Sequence, residues 1–330
     1  MEKVSRTYYA WVARDKKGVL RLFDKKPVRL KWFGEWTQCL GKINPEDFPD
    51  VTWENSPQQV ELIMKICNKN MKILRSKKFK NGIVYCLQLA DGMLVETTDT
   101  FLPYYTKDAI GRKQNKLDNT DLGDRSERWM IGVSTMSGCP VRCKFCATGN
   151  MKRYRNLTAD EIVEQVEFAI KRSGCNPSEA KEFKINYTRM GEPFLNIEAV
   201  KETIRRITEK YPNTHHYVST IGIKDSDFSF VKGNITLQIS LHSFDEEKRN
   251  WLIPYPKKMT IEELGQIRTE SNLKTTINLT LVDESDFDAE KLQQYFDKDY
   301  FFVKLSPINP NNISDKNNLG KGVVEGINLV

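Results

Sequence analysis

Three cysteines in one short stretch are the residues of this chain whose types and spacing best fit metal chemistry. Cys139, Cys143 and Cys146 lie within Ser137-Gly-Cys-Pro-Val-Arg-Cys-Lys-Phe-Cys-Ala-Thr-Gly149. Thiolates bind soft metals, and three of them on one loop hold a metal centre from one side only. A tetrahedral zinc site or a fully ligated iron–sulfur cluster needs a fourth ligand, which this spacing does not offer nearby. The pattern predicts a metal centre with an open position, the alternatives being a zinc site with a distant fourth ligand or three unrelated buried thiols.

Composition narrows the class of protein. The chain has 330 residues, enough for one large domain or two smaller ones. It contains no run of eighteen apolar residues and no apolar segment at its start, so we predict neither a membrane span nor secretion. Seven cysteines, three of them too close together for a disulfide framework, favour a reducing, cytoplasmic location. The net charge of +7 favours a polyanionic partner such as RNA.

Residues 1–68 are predicted to form a small β-rich module. Strands are expected over residues 8–13 and 18–23, on either side of a turn-forming stretch. Apolar side chains three and four residues apart predict a short helix over residues 57–68. The aromatic residues of this module alternate with lysines and so could stack on a nucleic acid. We favour the simpler interpretation that they fill the core of the module.

Residues 69–127 are predicted to form a β-hairpin extension followed by a flexible insertion. Strands are expected over residues 71–75, 82–89 and 92–97, with a hairpin turn between the last two. Residues 104–127 carry many charges with no apolar periodicity, which is typical of an insertion without a packed core.

Residues 128–330 alternate strand, loop and helix, which predicts an α/β fold with parallel strands, either a partial (β/α)6 barrel or an open sheet. Residues Thr158 to Glu161 form a capping box that should begin the first helix. The predicted strands cover residues 130–133, 183–187, 216–220, 235–240, 275–280 and 301–305.

Polar side chains follow the ends of these strands. In such folds the chemistry lies at the carboxyl ends of the strands, because those ends meet on one side of the sheet. Each polar loop alone would be unremarkable, but together with the cysteine loop they predict a site. The residues concerned are Gly191, Glu192, Ser219, Ser240, His242 and Asn309.

These segments together resemble one branch of the radical SAM superfamily. It comprises the adenine methyltransferases of large-subunit ribosomal RNA and the related chloramphenicol–florfenicol resistance methylases. The resemblance implies a partial (β/α)6 radical SAM barrel. The matching stretches are residues 89–96, 139–149, 155–158, 191–196, 218–220, 239–242, 253–258 and 306–310.

The resemblance implies the cofactors and partners. The three cysteines would bind a 4Fe-4S cluster whose open iron binds S-adenosyl-L-methionine (SAM). An electron from a flavodoxin or ferredoxin would then cleave SAM to a 5′-deoxyadenosyl radical. The substrate would be RNA, ribosomal or transfer RNA, and the role a methyltransferase acting in ribosomal RNA processing.

The resemblance also implies roles for single residues. Gly191 and Glu192 would hold the amino group of SAM, and Glu96 would be the proton acceptor of the reaction. An alternative for Glu96 is a glutamate that faces solvent from a strand. The remaining contacts to SAM would come from Ser219, Ser240, Leu241, His242 and Asn309.

The chain departs from the family at one point. The family first carries the methyl group on a cysteine that follows the Asn-Pro segment, but residues 311–330 contain no cysteine. Cys86 falls within a predicted strand and Cys175 at the opposite end of the barrel, so neither replaces it. Three hypotheses remain: an RNA adenine methylase whose tail is missing, a divergent radical SAM enzyme with non-methylating chemistry on RNA, a nucleotide or a peptide, and a non-catalytic protein that binds a cluster.

Overall fold

The structure is a computed structural model that describes residues 71–103, 122–281, 286–308 and 311–319 and, before residue 71, the strands alone. The chain divides into two compact units, Met1–Asn70 and Met71–Val330. Most of the predicted insertion and the candidate site residue Asn309 lie outside the described residues.

The first unit is built from antiparallel strands. Four of them form one sheet in the order β5-β2-β1-β6, and β3 pairs with β4. The strands are β1 (Ser5–Arg14), β2 (Leu20–Phe23), β3 (Arg29–Leu30), β4 (Glu35–Trp36), β5 (Gly41–Lys42) and β6 (Gln58–Lys65).

The helix predicted over residues 57–68 is wrong, because this segment forms β6. The apolar residues Val60, Leu62 and Met64 also fit a period of two, so the sequence pattern alone does not decide between helix and strand. Pairing decides it: β6 lies antiparallel to β1 over eight residue pairs, from Ser5 opposite Lys65 to Val12 opposite Gln58. The ladder of hydrogen bonds to a neighbouring strand outweighs a weak helical preference.

Among the described residues, the second unit contains a nine-stranded sheet and two short two-stranded sheets. Its strands are β7 (Lys72–Phe79), β8 (Gly82–Gln88), β9 (Leu94–Leu102), β10 (Arg128–Val133), β11 (Met136–Ser137), β12 (Arg155–Asn156), β13 (Glu182–Tyr187), β14 (Thr214–Thr220), β15 (Lys232–Gly233), β16 (Ile235–Ser240), β17 (Glu270–Ser271), β18 (Thr275–Leu281) and β19 (Phe301–Pro307).

Helices connect the parallel strands. The first begins at the predicted capping box, in which the Thr158 side chain accepts from the Glu161 N–H and the Glu161 carboxylate accepts from the Thr158 N–H. It ends at Gly174, whose φ of 69° is the left-handed conformation that glycine tolerates. The helices are α1 (Ala159–Ser173), α2 (Ile197–Lys210), α3 (Glu246–Leu252), α4 (Ile261–Gly265), α5 (Ala289–Tyr295) and α6 (Asn312–Lys316).

The topology of the large sheet confirms the predicted fold class. Its order is β19-β18-β16-β14-β13-β10-β9-β8-β7. The pairs from β10 to β19 are parallel, whereas β7, β8 and β9 join β10 as antiparallel strands. The molecule therefore has a six-stranded parallel sheet of radical SAM type, with an antiparallel β region before it. The domain boundaries after residues 68 and 127 stay a prediction.

The core lies between the parallel strands and their helices. Ile131 and Ile185 on neighbouring strands, and Ile162 and Val166 on α1, are fully buried. Each such side chain contributes roughly 1.5–3 kcal/mol when it is removed from water, so this packing fixes where the strand ends lie. Within the described ranges, no helix is both long and apolar enough to cross a membrane.

Candidate functional site

The cysteine loop begins where β10 ends. Residues 134–138 leave the sheet, and β11 pairs with β12 so that Ser137 lies opposite Arg155 and the loop is closed at its base. Gly138 has a φ of 73°, and a Cβ at this position would lie 2.6 Å from the Arg153 carbonyl oxygen. The close approach of these two segments therefore requires a glycine just before the first cysteine.

The three thiols are free and partly exposed. Burial raises the pKa of Cys139 to about 12 and raises that of Cys143 well above its usual value, and in both cases the nearby Cys146 adds to the effect. Both thiols are therefore protonated at neutral pH in the metal-free chain. Metal binding would have to displace those protons, which is the usual coupling of thiolate ligation to pH.

The three thiols are a donor set of the kind that binds iron–sulfur clusters. Within residues that the structure describes, no three histidine, cysteine, aspartate or glutamate side chains are grouped to hold one metal ion. A 4Fe-4S cluster binds its cysteine ligands through separate iron atoms. Cys139, Cys143 and Cys146 all lie on one loop after β10. This donor set is chemically suited to such a cluster.

Glu192 lies next to this loop and is almost fully buried, with 3% of its surface exposed. One carboxylate oxygen accepts from the Phe194 N–H at 3.1 Å and the other from the Ile221 N–H at 3.0 Å. Burial raises the pKa of Glu192 to about 7 despite these hydrogen bonds. The segment of Glu192 is bonded to the start of the cysteine loop, because the Met190 carbonyl accepts from the Thr135 N–H at 2.8 Å and from the Met136 N–H at 3.1 Å.

Two neighbouring groups fix the position of Glu192. Gly191 has a φ of 108°, and a Cβ there would lie 2.7 Å from the Met136 side chain. Arg249, which is fully buried, donates to the Ile221 carbonyl at 3.1 Å and to the Met259 carbonyl at 2.7 Å. The backbone of Ile221 therefore links Glu192, which accepts from its N–H, to Arg249, which donates to its carbonyl. Sequence reasoning missed Arg249, because a single arginine in an amphipathic helix gives no sign of being buried.

His242 contacts the cysteine loop from the end of β16. Its ring packs edge-to-face against Phe145, with 4.7 Å between ring centroids. Its Nδ1 accepts from the Thr280 N–H at 3.1 Å, so the proton of the neutral ring is on Nε2. Burial lowers the pKa of His242 to about 3, and Arg249 adds to the effect. The ring is therefore a neutral group at physiological pH, and it sits on a backbone with a φ of 66°.

The other predicted cofactor contacts lie at the same ends of the strands. The Ser219 hydroxyl donates to the Gln238 side chain at 3.0 Å across β14 and β16, and Ser240 is half-buried at the end of β16. Leu241 is fully buried and its N–H donates to the Asn278 carbonyl at 3.0 Å. Leu241 therefore offers a ligand only an apolar wall.

Two asparagines that the sequence analysis missed hold the cysteine loop from α6. The Asn311 side chain donates to the Phe145 carbonyl at 2.9 Å, and the Asn317 side chain donates to the Lys144 carbonyl at 2.8 Å. The two carbonyls lie between the second and third cysteines. A capping box at Asn311 and Ser314 was the available signal, but it indicates only where a helix begins.

Glu96 lies at the edge of the site, on β9. Its carboxylate forms an ion pair with Arg189, whose Nε donates at 2.8 Å, and both side chains are about one-third exposed, at 37% and 36%. The Ser134 hydroxyl donates to the Glu96 carbonyl at 2.7 Å, which ties β9 to the segment after β10. Arg189 was also missed, although it directly precedes the Met190-Gly191-Glu192 segment.

The chain matches known proteins along this part of its sequence. The radical SAM superfamily matches residues 133–296. A "probable dual-specificity RNA methyltransferase RlmN" of Chlorobium phaeobacteroides is 36% identical over 177 residues, which cover 52% of this chain and 49% of that protein. The protein of the same name from Chlorobaculum tepidum is 32% identical over 241 residues, covering 68% of this chain and 64% of that protein. The chain thus spans about half to two-thirds of the length of these curated relatives.

A solved structure is similar as well. The radical SAM methyltransferase from Sphaerobacter thermophilus superposes with a TM-score of 0.54 at 28% sequence identity, over 73% of this chain and 67% of that one. The sequence matches, the shared fold and the cysteine loop agree with one another. The chain belongs to the radical SAM superfamily and is related to the dual-specificity RNA methyltransferases of the RlmN type.

Proposed function

We propose that this chain binds a 4Fe-4S cluster through Cys139, Cys143 and Cys146 and cleaves SAM reductively. The observation that carries the proposal is that two strand ends meet the cysteine loop: the segment of Gly191 and Glu192 packs against Met136, just before the loop, and the His242 ring packs against Phe145 within it. A purely structural metal site gives no reason for a buried carboxylate and a neutral histidine to face the same loop. The relationship to radical SAM enzymes supports the same conclusion.

Different side chains around the loop would contact different parts of SAM. The Glu192 carboxylate would accept hydrogen bonds from the ammonium group of SAM, whose positive charge would lower the pKa of Glu192 and keep it ionised. His242 would offer its Nε2–H as a neutral donor. When bound, the cluster supplies the electron that breaks a carbon–sulfur bond of SAM. The remaining contacts would come from Gly191, Ser219, Ser240, Leu241 and Asn309.

We propose that the substrate is an adenine in RNA and that the overall reaction is methyl transfer. The names of the curated relatives and the net charge of +7 support an RNA partner. Glu96 would accept the proton released from the substrate, and Arg189 would hold that carboxylate in place. A flavodoxin or ferredoxin would be the reductant.

A second candidate is a radical SAM reaction without methyl transfer. Residues 176–330 contain no cysteine on which a methyl group could be carried. In this candidate the radical would react directly with RNA, a nucleotide or a peptide. Both candidates share the cleavage of SAM.

The deciding experiment is an anaerobic incubation of the reconstituted protein with SAM and dithionite, with and without RNA, analysed by mass spectrometry. 5′-Deoxyadenosine is expected in either catalytic case. S-adenosylhomocysteine and a methylated adenine would support methyl transfer, whereas 5′-deoxyadenosine alone would support the second candidate. A protein that is fully loaded with iron and sulfide but releases neither product would contradict both, leaving a cluster-binding protein without catalysis.

Cys143→Ala tests the ligand set directly. The variant is expected to fold but to retain less than half of the wild-type iron after reconstitution, because a cluster on two cysteines is poorly held. Cys175→Ala is the matched control, since Cys175 is an exposed cysteine just after α1. Equal iron content in wild type and Cys143→Ala would reject the assignment, whatever the activity.

A further inference from the structure

The antiparallel extension has one covered face and one open face. On the covered face, Tyr85 and Leu87 of β8 are buried, Tyr85 packs edge-to-face on Phe168 of α1 and Thr97 donates to Gln165 of α1. The other face carries Cys86 and Glu96, which are only partly buried. Helix α1 thus covers one side of these strands and leaves the other side accessible.

The edge strand β7 places three of its four cations on the open face. Directly paired residues of antiparallel strands point to the same side of a sheet. Lys72 pairs with Gln88, Arg75 with Cys86, Lys77 with Val84 and Phe79 with Gly82, and a bulge between Ile73 and Arg75 keeps Lys72 in phase with the others. Cys86 pairs in turn with Glu96. We call Lys72, Arg75, Lys77 and Phe79 the basic face.

The basic face is exposed, and within the described part of the chain no carboxylate forms an ion pair with its cations. Every residue of β7 is exposed, including Phe79 at 46%. No acidic residue occurs from residue 72 to residue 80, and the ion pairs among the described residues include none of the three cations. Lys77 lies over the Phe79 ring at 5.1 Å from its centroid. Cations beside an exposed aromatic ring are the elements with which proteins bind phosphates and stack bases.

The basic face leads to the candidate site. Arg75, Cys86 and Glu96 form one row across three strands, since Arg75 pairs with Cys86 and Cys86 pairs with Glu96. Two strand spacings place Arg75 about 10 Å from Glu96 along the sheet. The ion pair of Glu96 with Arg189 lies at the inner end of the row.

We propose that the basic face is the docking surface for the phosphodiester backbone of the RNA substrate and directs it toward Glu96. This rests on the proposed function, which supplies RNA as the substrate. Phosphate contacts by lysine and arginine would set affinity and register without reading sequence, while Phe79 would stack on a base.

The test measures binding of the full chain to a fluorescein-labelled RNA hairpin with a loop adenine, by fluorescence anisotropy over a range of KCl concentrations. In Arg75→Gln/Lys77→Gln, the slope of log affinity against log salt is expected to fall by about two, because each phosphate contact contributes about 0.9. Phe79→Leu is expected to weaken binding with an unchanged slope. The matched control is Lys171→Gln/Arg172→Gln, which removes the same charge from the exposed carboxyl end of α1.

The outcomes separate this proposal from the proposed function. Unchanged affinity and slope in Arg75→Gln/Lys77→Gln would overturn the docking surface. If the variant still cleaves SAM in the presence of dithionite and without RNA, the enzyme assignment stands. A wild type that cleaves SAM but does not bind the hairpin would overturn both the docking surface and the RNA substrate. Equal binding of duplex DNA with the same loss in the variant would show a general polyanion surface. A dimer that dissociates in the variant, seen by light scattering, would show that β7 instead pairs with a second copy.

Discussion

Two carboxylates at the candidate site differ in burial and in the groups that contact their oxygens. Glu192 is buried, accepts two backbone N–H groups and has a pKa raised to about 7 by burial. Glu96 is about one-third exposed and is paired with the Arg189 guanidinium. Glu192 follows the end of a parallel strand in the interior. Glu96 lies on the antiparallel extension, at the rim, meaning the edge of the site.

The difference indicates how one site separates cofactor from substrate. A buried carboxylate that is costly to ionise gains most from a cationic ligand, because the ligand removes the desolvation penalty of the charge. A partly exposed carboxylate that is paired with an arginine stays accessible to a large partner. The interior position therefore suits the ammonium of SAM, and the rim suits a macromolecule.

Glu192→Gln is expected to have the largest effect. Charged hydrogen bonds contribute about 1.5–3 kcal/mol, so the affinity for SAM should fall by roughly tenfold to a hundredfold. The amide also replaces an acceptor by a donor, which leaves the N–H of either Phe194 or Ile221 without its acceptor. Glu198→Gln is the control, with the same charge change at an exposed position of α2. SAM affinity is measured by calorimetry at equal iron content, and equal affinities for wild type and Glu192→Gln would remove Glu192 from the pocket.

The pH dependence of stability is a second test of the buried carboxylate. Glu192 has a pKa raised from 4.5 to about 7, so the folded chain keeps a proton that the unfolded chain releases. The stabilisation from that proton is fully present below about pH 4.5 and is lost as the pH rises to about 7, a change of about 3 kcal/mol. Glu192→Gln should lack this change. Denaturation of both metal-free proteins between pH 4.5 and 8 checks it, and parallel curves for the two would contradict the raised pKa.

Much of the fold follows from local sequence pattern. All six parallel strands were predicted to within a few residues, because each is a short segment rich in β-branched, aromatic or aliphatic residues between turn signals, as residues 235–240 illustrate. The helix expected over residues 57–68 failed because a segment with both periodicities takes its structure from its partner strand. Helix α1 was easier, since its capping box and its apolar stripe are both local.

The candidate site was only partly predictable, because only some of its residues belong to a local sequence pattern. Motif residues such as Cys139 and Glu192 carry their own pattern in the sequence. Arg189 does not, because its partner Glu96 is 93 residues away and meets it only through the order of β9, β10 and β13. The left-handed backbone at His242 was equally hidden, since nothing in a Ser-Leu-His run predicts a φ of 66°.

Arg189→Gln is expected to have the smallest effect on stability and a selective effect on function. The pair with Glu96 is partly exposed, so its loss should cost no more than about 1 kcal/mol. Arg205→Gln on α2 is the matched control, since it breaks exposed pairs with Glu202 and Glu209 far from the loop. Both variants should cleave SAM without RNA at the wild-type rate.

Only Arg189→Gln should impair the RNA-dependent reaction, because the freed Glu96 carboxylate no longer points toward the substrate in one fixed position. Arg189→Lys should restore part of the activity, since it keeps the charge but not the two-nitrogen contact. The rate is measured against RNA concentration at several pH values. A lower turnover with a shifted pH optimum would show that the pair takes part in the reaction. An increase in the Michaelis constant alone would assign Arg189 to RNA binding, so that Glu96 and Arg189 would belong to the docking surface.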